Sequence, residues 1–328
     1  MATVAAFAGV FAMAATGACA EEASPSTPAF ADVPLPAAPA VVDGDDDVLD
    51  KTRDAVRDGT VWLARKIDSW FGDRPFEAGG RVTDGRLEIR TTWRRDEGFD
   101  AALRFGARFE LPNLRDRAFV FIGRDVERDV VTDRPEGVSK DQLLTATARD
   151  EEAFFAGLGT ALGERVTFRA GVRGGLKLFT QVRFATAWAL SDRDRLAFRE
   201  TLFWTSADGL GSTTSLSLER LITPALTARW LSSGTVSQES EGFEWWSNLG
   251  LYRSFGRDRL LSTELLVEGE TASDVDASDY GLRVRWLQPV HEDWLLGEFS
   301  IGHFWPREDA ASERERTWAL GFALKMRF

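Results

Sequence analysis

The sequence predicts an all-β fold: a transmembrane antiparallel up-and-down β-barrel of about fourteen strands, with twelve as the other count, preceded by a short N-terminal helix. Three observations predict it. From residue 86 onward the hydrophobic period is two, and short and long connections alternate between the segments. In addition, 12 Trp and 23 Phe accompany only 2 Tyr in a chain with no long apolar run after its N-terminus. A spanning helix needs about 20 consecutive apolar residues, whereas a barrel shows lipid only alternate strand residues. Hydrophobic content of 44% and a mean hydropathy of −0.22 suit such a barrel. The net charge of −12 and pI near 4.9 argue against a general nucleic-acid binder, which carries a basic footprint.

Residues 1–20 are small and apolar, and Ala18-Cys19-Ala20 fits the small-residue cleavage rule of a signal peptide, with Glu21 as the mature N-terminus. The segment lacks the usual Lys or Arg, which an upstream start codon would explain. Thr16-Gly17-Ala18-Cys19 is also a weak lipobox without its Leu, so lipidation at Cys19 is the lesser alternative. Cys19 is the one cysteine of the chain, and a cleaved, cysteine-free protein crosses an oxidising compartment without mispairing. Residues 21–48, rich in Pro and Ala and ending in the acidic run Asp43–Asp47, predict a flexible linker. Residues 49–80 predict an amphipathic helix, since Val48, Ala55, Val56, Leu63, Ile67, Trp70 and Phe71 recur near three and four. Its mixed charges do not form a basic membrane-binding face. A periplasmic cap or plug of the barrel is expected, against a helix lying on the leaflet.

The barrel is expected over 86–328. In its first segment Leu87, Ile89, Thr91 and Trp93 alternate with Arg86, Glu88, Arg90, Thr92 and Arg94. Such alternation puts each set on one face of a strand. Strands are predicted at 86–95, 99–111, 117–124, 151–162, 165–173, 177–190, 194–206, 210–221, 225–237, 242–255, 258–271, 279–289, 292–304 and 315–328. The third is short. Short turns (222–225, 256–259, 287–293) alternate with longer polar loops (234–242, 271–279, 306–314), as inner turns and outer loops do. The longest connection, 125–150, falls with the outer loops, and the turn 173–177 is an exception in being short there. On strand 7, facing Leu196, Phe198, Leu202 and Trp204 to lipid also points Glu200 outward, and a slip by one exposes Arg199 instead. A bulge or a subunit contact would resolve that conflict.

In the last strand Trp318, Leu320, Phe322, Leu324, Met326 and Phe328 form one face. This resembles the C-terminal β-signal of Gram-negative outer-membrane barrel proteins, closely over the terminal strand and in pattern over 86–328. The resemblance implies an outer-membrane location, handling by the barrel-assembly machinery, and surrounding outer-membrane lipid and lipopolysaccharide. Residues 199–211 and 241–246 are similar to stretches of uncharacterised proteobacterial outer-membrane proteins, which supplies no activity. Aromatic residues at strand ends (Trp188, Trp204, Tyr280, Trp286, Trp294, Trp305, Trp318) predict two interfacial girdles.

The polar rows predict a charged lumen: Arg86, Arg90, Arg94, Arg104, Arg108, Arg169, Arg173 and Arg183 on early strands, Glu264, Glu268 and Glu270 on a late one, then Arg283 and Arg285. Charges avoid the lipid face because Lys or Arg at the bilayer midplane costs about 2–4 kcal/mol. Either the charges pair into a filling that closes the lumen, or the arginines form a track that attracts anions. Catalytic, cofactor and metal residues are not expected. There is no G-x-S-x-G, H-E-x-x-H or P-loop, and Gly157-Leu158-Gly159 reads as small residues in a barrel wall. His291 and His303 lack evident catalytic partners. Asp274, Asp276, Ser278 and Asp279 begin like a calcium loop, yet Asp279 stands at the Gly position and Arg285 where Glu belongs. The leading expectation is a non-enzymatic, porin-like channel for small solutes. The alternatives are a structural or interaction barrel with a closed lumen, and a lipid-modifying enzyme relying on His303.

Overall fold

The computed structural model describes residues 46–68, 81–111, 118–135, 143–145, 152–207, 209–238, 240, 242–256, 259–307 and 309–328. The expected signal peptide with Cys19, most of the linker and residues 69–80 of the expected helical region lie outside them. Fourteen antiparallel strands close into one barrel: β1 (Arg81–Arg94), β2 (Gly98–Glu110), β3 (Ala118–Val126), β4 (Glu152–Ala161), β5 (Val166–Arg173), β6 (Lys177–Ala189), β7 (Asp194–Thr205), β8 (Gly209–Thr223), β9 (Leu226–Ser237), β10 (Glu244–Phe255), β11 (Arg259–Glu270), β12 (Asp279–His291), β13 (Leu295–Phe304) and β14 (Thr317–Arg327). Each pairs with its sequence neighbours, and β14 pairs with β1 in a register that sets Met326 opposite Leu87. Closure removes the edges that an open sheet would leave unpaired.

The period of two sorts the walls. On β14, Trp318, Leu320 and Phe322 are exposed while Thr317, Ala319 and Ala323 are buried. Phe99, Phe154, Leu202, Leu249, Leu265 and Phe299 are likewise exposed around the barrel. An apolar belt this continuous needs lipid around it. The conflict on β7 resolves without a bulge: its ladders to β6 and β8 run unbroken, Leu202 and Trp204 are exposed and Thr201 and Phe203 buried. Glu200 therefore stands on the outward row, where the hydroxyls of Ser212 and Thr214 donate to its carboxylate.

β1 begins at Arg81, five residues before the expected start, because a bulge between Val82 and Asp84 interrupts the alternation there. Two other register shifts, at Pro289/His291 and Leu221/Thr223, lie at the same end. That end, called the base, also bears Phe328; the opposite end is the rim. The short turn at the rim between β5 and β6 is a single 3-10 turn, Gly174–Leu176, in which Gly175 takes φ 69°, a left-handed conformation that costs glycine nothing.

Helix α1, Asp46–Asp68, sits neither in the lumen nor across its mouth. Leu49 and Val56 pack with Trp294, Leu295, Leu87, Leu324, Met326 and Phe328, and Val61 packs on Ala107, Phe109, Leu111 and Val120. Ala107 and Phe109 share their row with the exposed Leu103 and Phe99, so α1 lies on the outer wall at the base, across the β14–β1–β2 seam. Over Asp46–Asp68 the expected cap or plug is corrected accordingly. The physical reason is that the inward rows behind this seam, with Arg86, Glu88, Arg90 and Lys325, carry charge, whereas the outer wall offers the apolar partners that an amphipathic face requires. Trp294, expected in a girdle, is instead buried under α1, with the Arg53 guanidinium 5.1 Å from its ring centroid.

Candidate functional site

The lumen wall divides into two electrostatic regimes. Along β10–β14 and β1 the inward charges answer one another. Arg283 reaches Glu264, whose other oxygen accepts the Tyr252 hydroxyl at 2.7 Å and lies 3.6 Å from Arg285. Arg285 also meets Glu298 at 3.6 Å, and Lys325 meets Glu298 at 3.0 Å. Arg90 pairs with Glu88 at 2.6 Å, Arg86 with Asp125 at 3.1 Å, and Arg104 with Asp125 and Glu152 at 3.4 and 3.5 Å. Glu268 accepts the Trp246 indole N–H at 2.7 Å. Arg94, 2% exposed, grips Asp279 at 2.6 Å near the rim, so a residue of the apparent calcium loop serves an ion pair. Arg173 is buried on β5.

On β3–β7 the inward face is different. Phe119, Phe121, Phe179 and Phe203 are buried there and cluster with Val131. Val131 belongs to α2, Glu127–Thr132, in the long connection after β3 that was expected outside. The described part of this connection turns into the lumen. The Gln181 amide donates to the carbonyls of Val130, at 2.6 Å, and Val131. Farther along, the Arg134 guanidinium lies 3.4 Å from the Trp246 ring centroid of β10 and 3.6 Å from Glu244. Leu143 and Leu144 pack with Leu266, Phe304 and Ala319 on β11, β13 and β14, and the Leu143 carbonyl accepts from Arg94 at 3.0 Å. Chain thus reaches from one wall to the other. Gly157 and Gly159 make room for the aromatic wall: a Cβ on Gly159 would overlap the Phe119 ring, and one on Gly157 would come within 2.5 Å of the Phe121 ring.

At the C-terminus of α2, Asp133 adopts a left-handed φ of 52° and Pro135 follows, so the helix stops there. The Asp133 carboxylate points into a cluster of guanidiniums: Arg183 at 3.4 Å, Arg199 at 3.5 Å and Arg169 at 3.6 Å, with the Thr201 hydroxyl donating at 3.3 Å. Burial pushes this carboxyl up, but Arg183, Arg199 and Arg169, aided by Thr201, outweigh it and hold it below the ordinary carboxylate range. Arg108 stands beside them. Its charge acts on Arg183 and Arg169 while Glu110 and Asp84 act on it in turn, its guanidinium lies 3.5 Å from the Phe119 ring centroid, and its buried Nε has no hydrogen-bond partner among the described residues.

Of the arginines expected along an early-strand track, the structure gathers Arg108, Arg169 and Arg183 in this cluster. Arg86, Arg90, Arg94 and Arg104 are engaged by carboxylates elsewhere. Sequence reasoning left Arg199 undecided, because a slip by one on strand 7 turns it outward. It also missed Asp133 and α2, since a loop carries no period of two. Their available signal was the inward row of phenylalanines, which a purely polar lumen does not need. Of the six C-terminal residues singled out, Trp318, Leu320 and Phe322 are exposed, whereas Met326 is buried beneath α1, and Leu324 and Phe328 pack against the same cluster. Phe328 also stacks on Phe105, ring centroids 6.2 Å apart. His303 is stacked on Trp318 and edge-on to Trp305, and His291 lies 3.4 Å from Asp50 of α1.

No family model and no curated protein matches the chain. Among solved structures, similar ones include the KdgM porin in complex with disordered oligogalacturonate, at 9% identity, TM-score 0.36, and coverage of 74% of this chain and 99% of that one. In vitro folded OmpT, an outer membrane protein of Vibrio cholerae, matches at 9% identity and TM-score 0.42 over 76% and 98% of the two chains. An anion-selective porin from Comamonas acidovorans matches at 8% identity and TM-score 0.43 over 76% and 100%. Scores of this size carry nothing about transport or catalysis; the closed fourteen-strand barrel stands on the chain's own strand pairing.

Proposed function

We propose that the chain is a porin-like channel of an outer membrane whose lumen favours small anionic solutes. The carrying observation is the cluster of Arg169, Arg183 and Arg199 on β5, β6 and β7, which the Asp133 carboxylate enters, with Arg108 of β2 beside it under the influence of Glu110 and Asp84. An electropositive stretch between low-dielectric walls concentrates anions and lowers their barrier to passage. The apolar outer belt and the aromatic residues at the strand ends support a membrane setting. The C-terminal row from Trp318 to Phe328 supports recognition by barrel-assembly machinery after export with a cleaved signal peptide. Lipid and lipopolysaccharide are the proposed surroundings, and the proposed role is non-enzymatic and without cofactor.

The test is single-channel conductance of the purified protein in a planar bilayer under a potassium chloride gradient. An anion-directed reversal potential is expected, and Arg108→Ser moves it toward cations more than Arg104→Ser does, because Arg104 is engaged by Asp125 and Glu152. A cation-directed potential indifferent to Arg108→Ser would sink the proposal. The buried network of Glu264, Arg283, Arg285 and Glu298, with α2 lodged in the lumen, favours a second reading, a structural barrel with a closed lumen. A barrel that stays silent even after α2 is dislodged would select it.

A further inference from the structure

We propose that the guanidinium cluster is a polycarboxylate-binding site whose seat the chain's own Asp133 fills in the resting barrel. This rests on reading the lumen as an anion path, and it names the solute class. Four features converge. The group already seated is a carboxylate, held by Arg169, Arg183, Arg199 and the Thr201 hydroxyl within 3.3–3.6 Å. It comes from the inward connection rather than from the wall. Its backbone holds a left-handed φ of 52°, a conformation that Asp and Asn adopt more readily than most side chains. Arg108 adds a fourth guanidinium, whose buried Nε has no hydrogen-bond partner among the described residues.

Guanidiniums match carboxylates through paired, charge-assisted hydrogen bonds, so a solute bearing the same group competes for the same donors. The competition is unequal, because a tethered group acts at an effective concentration of about millimolar or more. A monocarboxylate exchanges one carboxylate for another and loses to the tether. A polycarboxylate takes the place of Asp133 with one group and offers a second to the Arg108 Nε. The site therefore discriminates by the number of carboxylates, and its built-in occupant sets the threshold.

The experiment is isothermal titration calorimetry of the detergent-folded full chain with citrate and with acetate at constant ionic strength. The wild type is expected to bind citrate weakly and to give no heat with acetate. Asp133→Asn removes the competing charge while Asn tolerates the left-handed backbone. Citrate should then bind about tenfold tighter or better, and acetate binding should become measurable. Arg183→Gln with Arg199→Gln, Asp133 intact, should abolish citrate binding. An Asp133→Asn chain that binds citrate no tighter than the wild type, or a double arginine variant that retains binding, would overturn the proposal. Tight citrate binding by Asp133→Asn in a barrel that never conducts keeps the site and removes the channel; anion conductance with no citrate binding by any variant removes the site and keeps the channel.

Discussion

Replacing Val131 with Asp should dislodge α2 from the lumen wall and leave the barrel standing. Val131 is 2% exposed and belongs to one buried cluster with Phe119, Phe121, Phe179 and Phe203. Burying a valine side chain contributes about 1.5–3 kcal/mol. The two carbonyls that accept from Gln181 contribute about 1 kcal/mol each. Together these favour the docked segment by about 4 kcal/mol, roughly a thousandfold at 1.4 kcal/mol per factor of ten, before Asp133 is counted. A carboxylate at position 131 abolishes the first contribution and must be desolvated against four aromatic rings at a cost of several kcal/mol. The balance then turns against docking. The strand ladders do not involve Val131, so thermal unfolding followed by circular dichroism should stay close to wild type while mean conductance in a planar bilayer rises. A folded Val131→Asp barrel with wild-type conductance would refute the view that α2 obstructs the lumen.

Four further outcomes follow from the same geometry. Val56→Asp should loosen α1 from the outer wall and speed tryptic cleavage after Arg57 without changing conductance; a conductance rise would return the helix to the lumen. Gly159→Ala drives a methyl into the Phe119 ring and should lower stability in urea unfolding by about 1–3 kcal/mol, with Phe119→Leu in the same chain recovering part of the loss. Glu264→Gln removes the charged partner nearest the buried Arg283 guanidinium and should cost about 3–5 kcal/mol, most of it regained when Arg283→Met is added; equal stability of the single and wild-type chains would show that pair to be immaterial. Because the folded Asp133 carboxyl lies below the ordinary range, its ion pairing with Arg183, Arg199 and Arg169 is complete above that range and is lost as pH falls through the depressed value, which leaves the cluster more positive while α2 stays docked. Conductance should therefore be flat from neutrality down past the ordinary carboxylate range and change only below it, and Asp133→Asn should erase that acid step.

Sequence alone determined the barrel. About fourteen strands, their order and most of their inward and outward rows follow from a period of two, because in a closed antiparallel sheet each side chain has only two directions to take; the pairing of the closed barrel fixed the count at fourteen. That is why the polar rows carrying Glu264, Arg283 and Arg285 were legible without a structure, whereas the outward row of Leu196, Phe198, Leu202 and Trp204 was fixed only by the unbroken ladders of β7. Tertiary structure decided whatever left the strands or depended on a partner far along the chain. The position of α1 on the outer wall was not legible, because its apolar spacing states that one face needs cover and not which surface supplies it. Which arginines are engaged and which gather at one point was hidden as well. Arg94 is joined to Asp279 across 185 positions, and Arg183 to Asp133 across 50. Asp133 and α2 were the deepest omission: an aperiodic connection takes its course from the surfaces that it meets, here the phenylalanines of β3, β6 and β7 and the guanidiniums beside them, and those surfaces exist only once the barrel has closed.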